Sequence, residues 1–186
     1  MSFPPLPTPS REPDLLENSL ETLDRMAGKI SSLLDPSRIA LDVKSTQRTA
    51  ALNEISRLLT THPAVTNFDG FYRELLARDR LETTCIGHGV SLPHARTEHV
   101  KSIALAVGRS SATITCGDHP DKRIRLVFML GTPKTNPADY LAVVSSLCKI
   151  LKHEVNRTAF LTAATPEEFI AAVVAAEECL ATPIPA

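Results

Sequence analysis

Residues 85–96 read CIGHGVSLPHAR, and at this segment the spacing of apolar residues changes from that of helices to that of strands. Gly87 and Gly89 can adopt positive φ angles without steric penalty, so successive backbone N–H groups can turn toward one point and bind an anion. Pro93 fixes its own φ and favours an extended residue before it, which presents His94 from a stiff strand end. The segment therefore predicts a site of phosphate size beside a histidine.

His94 is the candidate reactive residue of this segment. A neutral imidazole, whose usual pKa is about 6.5, has a free ring nitrogen that can attack phosphorus without a separate base. On residue types alone, a histidine that merely ends a strand and binds water is an equally well supported alternative. A metal site is a third, since four side chains of ligand type occur here: Cys85, His88, His94 and His99. Their spacings of 3, 6 and 5 residues match no common zinc pattern, so we expect no metal.

The flanking sequence predicts helices on both sides of a group of strands. Before the segment, alternation at residues 39–43 predicts a strand, and helical spacing predicts helices over about residues 46–61 and 67–80. After it, we expect strands at residues 102–108, 113–115 and 124–130, and helices at about 137–152, 154–162 and 166–179. This order of elements indicates an α/β or α+β domain with a central, mixed sheet covered by helices.

The amino-terminal region carries patterns of a different kind. Residues 1–13, MSFPPLPTPSREP, contain five prolines and predict a flexible or polyproline-like arm. Over residues 14–32, apolar residues recur at alternating spacings of four and three, which predicts an amphipathic helix. With fewer than three heptads, packing of this helix on the parent domain is favoured, and a homodimer through the helix is the alternative.

The composition excludes several classes of partner. A chain of 186 residues predicts one domain with a small surplus, because a typical domain has about 150 residues. A formal net charge of −1 and an aromatic fraction of 4% argue against a nucleic-acid partner. No apolar run reaches the roughly 18 residues needed to cross a bilayer, and the start does not look like a signal peptide. The four cysteines include no C-x-x-C pair, so we expect reduced cysteines in a cytoplasmic protein without membrane insertion.

Residues 84–96, TCIGHGVSLPHAR, resemble the active-site signature of type-2 enzyme IIA domains of the phosphoenolpyruvate-dependent sugar phosphotransferase system, the mannitol, fructose and nitrogen-regulatory class. The flanking runs LLARDRLET, VKSIALAVGRS and RIRLVFMLGTP are similar to that class as well. The resemblance extends over residues 33–178 and leaves residues 179–186 as a carboxy-terminal tail. It implies a single α/β domain with a mixed central sheet sandwiched by helices, to which the amphipathic helix is an amino-terminal addition.

The resemblance also implies phosphoryl relay. The histidine of the L-P-H step, here His94, accepts a phosphoryl group from the carrier HPr and passes it to an enzyme IIB partner, or serves as a regulatory signal. Such transfer needs in-line positioning and charge stabilisation, and it needs no cofactor. Arg78, at the end of the preceding helix, is the implied anion stabiliser, and Gly87, His88 and Gly89 are implied to shape the phosphate pocket.

The sequence departs from the mannitol-type pattern at Tyr140, where those members carry a second active-site histidine. A tyrosine can donate one hydrogen bond to a phosphate oxygen but supplies no positive charge at neutral pH. The departure supports an alternative function, a non-catalytic regulatory module of the same fold that works by binding a partner. Arg96 ranks below Arg78 as an anion stabiliser, since it shares the side of His94 only if the strand stays extended.

Overall fold

The computed structural model describes residues 29–81, 84–116, 119–135 and 137–181. These residues form six strands, β1 to β6 in chain order: Ile39–Ala40, Cys85–Gly87, Val90–Ser91, His94–Thr97, Ala104–Cys116 and His119–Pro133. They also form five α-helices, α1 to α5: Arg48–Ser56, Phe68–Leu81, Pro137–Lys152, Glu154–Thr162 and Pro166–Ala181. Short 3-10 turns lie at Ser31–Leu33, Pro36–Arg38 and Arg57–Leu59.

The long hairpin of β5 and β6 is the centre of the sheet. β5 pairs antiparallel with β6, and β1 lies parallel to β5 on the outer side. β3 and β4 both pair parallel with β6, and β2 extends the sheet by antiparallel pairing with β3. The six strands therefore form one mixed sheet, which confirms the sheet type expected from the sequence.

Helices cover both faces of this sheet, and alternate residues of β5 and β6 belong to opposite faces. One core joins the sheet to α3, α4 and α5, and its strand residues include Leu105, Val107, Leu126, Phe128 and Leu130. The other core joins the sheet to α1 and α2, and its strand residues include Ala104, Ala106, Val127 and Met129. The fold is thus the predicted single domain with a sheet sandwiched by helices. Within the described part of the chain, no helix combines the length and apolar character of a transmembrane segment.

Two strand predictions need correction. Residues 113–115 are not a separate strand but the end of β5, because the strand continues through the polar residues that interrupt the apolar pattern. The ladder to β6 accommodates that interruption by a shift of register between Arg109 and Ile114. The predicted strand at residues 39–43 is shortened to β1, although the N–H of Val43 still donates to the carbonyl of Arg109 at 2.8 Å.

The amino-terminal predictions fall mostly outside the described residues. The proline-rich arm at 1–13 and residues 14–28 of the predicted helix lie there. Residues 31–33, at and beyond the predicted end of that helix, form a 3-10 turn. The Glu177 carboxylate of α5 fixes this turn, since it accepts hydrogen bonds from the N–H groups of Ile30 and Ser31 and from the Ser31 hydroxyl. At the other end, α5 continues three residues into the predicted tail at 179–186, and residues 182–186 are not described.

Candidate functional site

His94 begins β4, between the helix layers on the two faces of the sheet. It pairs with Leu130 of β6, whose N–H donates to the carbonyl of Pro93 at 2.9 Å. The side chains of β4 alternate: Ala95 is buried, while His94 is half-buried and Arg96 exposed. The proline-bounded strand therefore presents His94 toward solvent from a hydrogen-bonded position, as the sequence predicts.

A hydrogen bond to the backbone determines which ring nitrogen of His94 carries the proton. Nδ1 of His94 lies 2.9 Å from the carbonyl oxygen of Leu92. A carbonyl oxygen can only accept, so Nδ1 is the donor and holds the hydrogen. In the neutral ring the lone pair is consequently on Nε2.

His94 lines two cavities that also share Arg78. The first, of about 230 Å³, is lined by residues of α2, β4 and α3: Glu74, Arg78, His94, Ala95, Arg96 and Tyr140. The second, of about 190 Å³, is lined by residues in and beside β2 and β3 and by the next turns of α3, including Thr84, Ile86, Leu92, Val144 and Cys148. The last turn of α2 thus supplies Arg78, and the first turn of α3 supplies Tyr140, to the surroundings of one histidine.

Tyr140 stacks obliquely beside His94. The centroids of the two rings are 5.4 Å apart, and their planes meet at 39°. Burial raises the pKa of the Tyr140 hydroxyl, and the positive charges of Arg78 and Arg96 act in the opposite direction. The phenol therefore remains a neutral hydrogen-bond donor, placed within the field of two guanidinium groups.

The turn residues implied as phosphate ligands lie elsewhere. Gly87, His88 and Gly89 have φ angles of 91°, 54° and 76°, which confirms the positive φ predicted for the two glycines. They line a separate cavity of about 320 Å³ that His94 does not reach. Four residues lie between Gly89 and His94, and the five steps from one Cα to the other span roughly 16 Å of extended chain at about 3.3 Å per step. The structure therefore brings Arg78 and Tyr140 to His94, but not these three turn residues.

Two further side chains line the cavity of His94. Arg96 lines this cavity because β4 stays extended, and only an extended strand places Arg96 on the same side as His94. Its Nη2 donates to the carbonyl of Lys134 at 3.2 Å. Glu74 was missed by the sequence analysis as a site residue. Its signal is the spacing of four from Arg78, which places both side chains on one face of α2.

The state of one cysteine differs from the expectation. Cys85 is disulfide-bonded, whereas Cys148 and Cys179 are free thiols. The sequence predicts reduced cysteines because it contains no C-x-x-C pair. That prediction is wrong for Cys85, because spacing along the chain carries no information about closeness in space. Among the described residues, no group of three or more His, Cys, Asp or Glu side chains is arranged to hold a metal ion.

Comparison with known proteins assigns the family. The model of the EIIA 2 family of the phosphoenolpyruvate-dependent sugar phosphotransferase system (PTS) matches residues 32–175, which is most of the chain. The chain belongs to this family. Members of the EIIA 2 family are phosphocarrier or regulatory components of the PTS, and the chain therefore has a role of that kind.

Relatives of this EIIA 2 domain include fructose-specific components of the PTS. The chain is 30% identical over 148 residues to the PTS fructose-specific EIIA component of Haloferax volcanii, covering 78% of this chain and 96% of that relative. It is 27% identical over 142 residues to the fructose-specific EIIABC component of Bacillus subtilis, but spans only 22% of that longer protein.

Solved structures of other IIA proteins have a similar fold. The crystal structure of the nitrogen regulatory protein IIA-Ntr from Neisseria meningitidis superposes with a TM-score of 0.71 at 28% identity, covering 77% of this chain and 98% of that one. Enzyme IIA of mannitol from Escherichia coli, solved in complex with phosphorylated enzyme IIB, has a TM-score of 0.68 at 17% identity. That match covers 76% of this chain and 97% of the other, and it supports the fold alone.

Proposed function

We propose that this EIIA 2 domain is a phosphocarrier that accepts a phosphoryl group from phospho-HPr on Nε2 of His94. It then passes the group to an enzyme IIB partner or presents it as a regulatory signal, in the cytoplasmic setting expected from the sequence. The observation that carries the proposal is the placement of His94, with its lone pair on Nε2, on a cavity shared with Arg78, Arg96 and Tyr140.

Transfer replaces one nitrogen–phosphorus bond by another. The lone pair of Nε2 attacks the phosphorus of the phosphohistidine on HPr, and the bond from that phosphorus to the donor ring breaks. The electron pair of the broken bond returns to the donor imidazole, so no further co-reactant is consumed. The phosphorylated ring of His94 is positively charged, and its Nδ1–H shares that charge with the Leu92 carbonyl oxygen.

The cavity supplies what the phosphoryl group needs. A phosphoryl group in transfer spreads negative charge over its equatorial oxygens, which preorganised cations and donors stabilise. Arg78 is half-buried, so its charge is screened less than that of the exposed Arg96, and its planar fork matches phosphate geometry. Tyr140 supplies a neutral hydrogen-bond donor in the place where mannitol-type members carry a histidine.

Reconstituted transfer tests this function directly. The chain is incubated with phosphoenolpyruvate, enzyme I and HPr, and its intact mass is measured over time. We expect the mass to rise by one phosphoryl group per chain, and the added group to be acid-labile, as a phosphohistidine is. A parallel incubation without HPr serves as the control and should leave the mass unchanged. A complete system that adds no phosphate to the chain contradicts the proposal.

A second function, a regulatory module that only binds a partner, is favoured by Tyr140 in place of a histidine. Relatives named nitrogen regulatory protein, such as that of Bradyrhizobium diazoefficiens at 26% identity over 125 residues, are compatible with it. The two functions differ in one respect. A phosphocarrier is phosphorylated with Tyr140 in place, whereas for a module that only binds, phosphorylation would require Tyr140→His.

Replacing Tyr140 measures the contribution of its hydroxyl. We expect Tyr140→Phe to lower the maximal rate of phosphoryl uptake about 10- to 100-fold, because a hydrogen bond to a charged group is worth roughly 1.5–3 kcal/mol. Since burial raises the pKa of Tyr140 above its usual value, its phenol keeps its proton at neutral and mildly alkaline pH. The pH profiles of wild type and Tyr140→Phe should therefore run parallel over that range. Profiles that converge at mildly alkaline pH would contradict this role of the hydroxyl.

A further inference from the structure

A largely buried ion pair lies behind the candidate site. Arg48, the first residue of α1, donates from Nε to Oδ2 of Asp79 at 2.7 Å and from Nη2 to Oδ1 at 2.5 Å. The side chains of Arg48 and Asp79 are only 11% and 8% exposed. Two parallel bonds between a guanidinium and a carboxylate define the orientation of both groups as well as their distance. Neither side chain lines the cavities of His94.

The same guanidinium also binds the segment that leads to β4. Nη2 of Arg48 donates to the hydroxyl of Thr84 at 2.9 Å and to the hydroxyl of Ser91 at 3.2 Å. The Thr84 hydroxyl in turn donates to Oδ1 of Asp79 at 3.0 Å. Thr84 and Ser91 are both buried, so these polar groups depend on one another for hydrogen bonds.

From this network, hydrogen bonds continue to the reactive ring. The carbonyl of Thr84 accepts the N–H of Leu92 at 2.9 Å, and the carbonyl of Leu92 accepts Nδ1–H of His94 at 2.9 Å. Asp79 directly follows Arg78 in the last turn of α2. The ion pair is therefore linked by a few hydrogen bonds to the end of α2, which carries Arg78, and to the start of β4, which carries His94.

We propose that Arg48 and Asp79 are positioning residues, which set the placement of Arg78 relative to Nε2 of His94 for phosphoryl acceptance. The inference rests on the proposed function, since it specifies how that site is held together. In-line transfer tolerates little displacement, and a shift of about 1 Å can lower a rate about 100-fold. A pair with a merely structural role would instead change the stability of the fold and leave the rate of the folded protein unchanged.

Three variants separate these roles. Arg48→Lys keeps the charge but loses the planar fork that reaches Asp79, Thr84 and Ser91 together. The double variant with Arg48→Met and Asp79→Leu leaves no unpaired buried charge, so it is the one to use if single variants fail to fold. Arg57→Lys is the matched control, because Arg57 is exposed just after α1 and, among the described contacts, its side chain bonds only to Asn53.

The readouts are single-turnover phosphorylation at varied phospho-HPr concentration and nitrogen NMR of the His94 ring. We expect Arg48→Lys and the double variant to lose about 10- to 100-fold in maximal rate, with the half-saturating phospho-HPr concentration little changed. The His94 signals should change in both variants, because the proton on Nδ1 loses its fixed acceptor geometry. The control should match wild type in rate and in spectrum.

Two results overturn the inference, and they are distinguishable from failure of the proposed function. If wild type is phosphorylated and the folded variants keep its maximal rate, the pair is structural only. If wild type takes up no phosphoryl group, the proposed function fails. The His94 spectra of the unphosphorylated variants then decide whether Arg48 and Asp79 position the ring. Spectra identical to wild type overturn the positioning role, and spectra with an altered Nδ1 proton support it.

Discussion

Replacing His94 by alanine is expected to abolish phosphoryl uptake from phospho-HPr. The reason is chemical, because the reaction needs a nitrogen lone pair at the cavity and an alanine offers none. The residual rate should fall below detection in the reconstituted system, since neither Arg78 nor Tyr140 is a nucleophile toward phosphorus at neutral pH. Intact-mass measurement at several times provides the rate, and a melting curve shows whether the variant is folded.

Two controls make this result specific to His94. His94→Gln keeps a polar side chain of similar size on β4 but has an amide nitrogen, which is not a nucleophile, so it should be equally inactive. His153→Ala removes an exposed histidine between α3 and α4 and should be phosphorylated at the wild-type rate. Phosphate on the His94→Ala chain at the wild-type rate would show that another residue is the acceptor.

Removing the charge of Arg78 should have the second largest effect. We expect Arg78→Met to lower the maximal rate of uptake roughly 100- to 1000-fold, the range observed when one preorganised group that stabilises an anionic transition state is removed. Arg78→Lys should recover part of the loss, because it restores the charge but not the planar fork. Single-turnover kinetics with excess phospho-HPr measures both variants.

Arg96 provides a direct comparison for Arg78, because both side chains line the same cavity. Arg96 lines the same cavity but is exposed, so solvent screens its charge more strongly. We therefore expect Arg96→Met to lower the rate less than 10-fold, as is typical of exposed charge interactions worth up to about 1 kcal/mol. A larger loss at Arg96 than at Arg78 would transfer the role of main anion stabiliser to Arg96.

Much of the fold could be predicted because periodicity reports which face of an element is buried. The helices predicted at residues 137–152 and 154–162 coincide with α3 and α4, whose buried apolar residues belong to the core on one face of the sheet. Periodicity failed where the burial pattern is irregular. β5 continues past the polar residues after Gly108, because a shift of register keeps it paired with β6 although the alternation is broken.

In the candidate site, too, features set by neighbouring residues could be predicted, whereas contacts between residues far apart in the sequence could not. Pro93 and the alternation along β4 are local, and they predict the presentation of His94 and the face that Arg96 shares. The Arg48 network could not be predicted, because its contacts to Asp79, Thr84 and Ser91 join residues 31, 36 and 43 positions apart. No spacing rule connects residues at such separations, and only the tertiary fold brings the start of α1, the end of α2 and the residues beside β3 together.

The Gly87 to Gly89 turn shows how a correct local inference can lead to an incorrect placement. The positive φ angles that the glycines permit are present, and they close the tight β2–β3 hairpin. Closeness in sequence to His94 suggested a common pocket, but the extended chain between them carries the turn to a different cavity. Conformational freedom of a residue is therefore predictable from its type, whereas the site that it lines is not.

The ring nitrogen that carries the phosphoryl group tests the central claim most directly. Nitrogen and phosphorus NMR of the chain, phosphorylated from phosphoenolpyruvate through enzyme I and HPr, identifies the residue and the atom. Because Nδ1 of His94 donates to the carbonyl of Leu92, we predict a phosphorus bond to Nε2 of His94. A bond to Nδ1, or to any other residue, would contradict the account of the site.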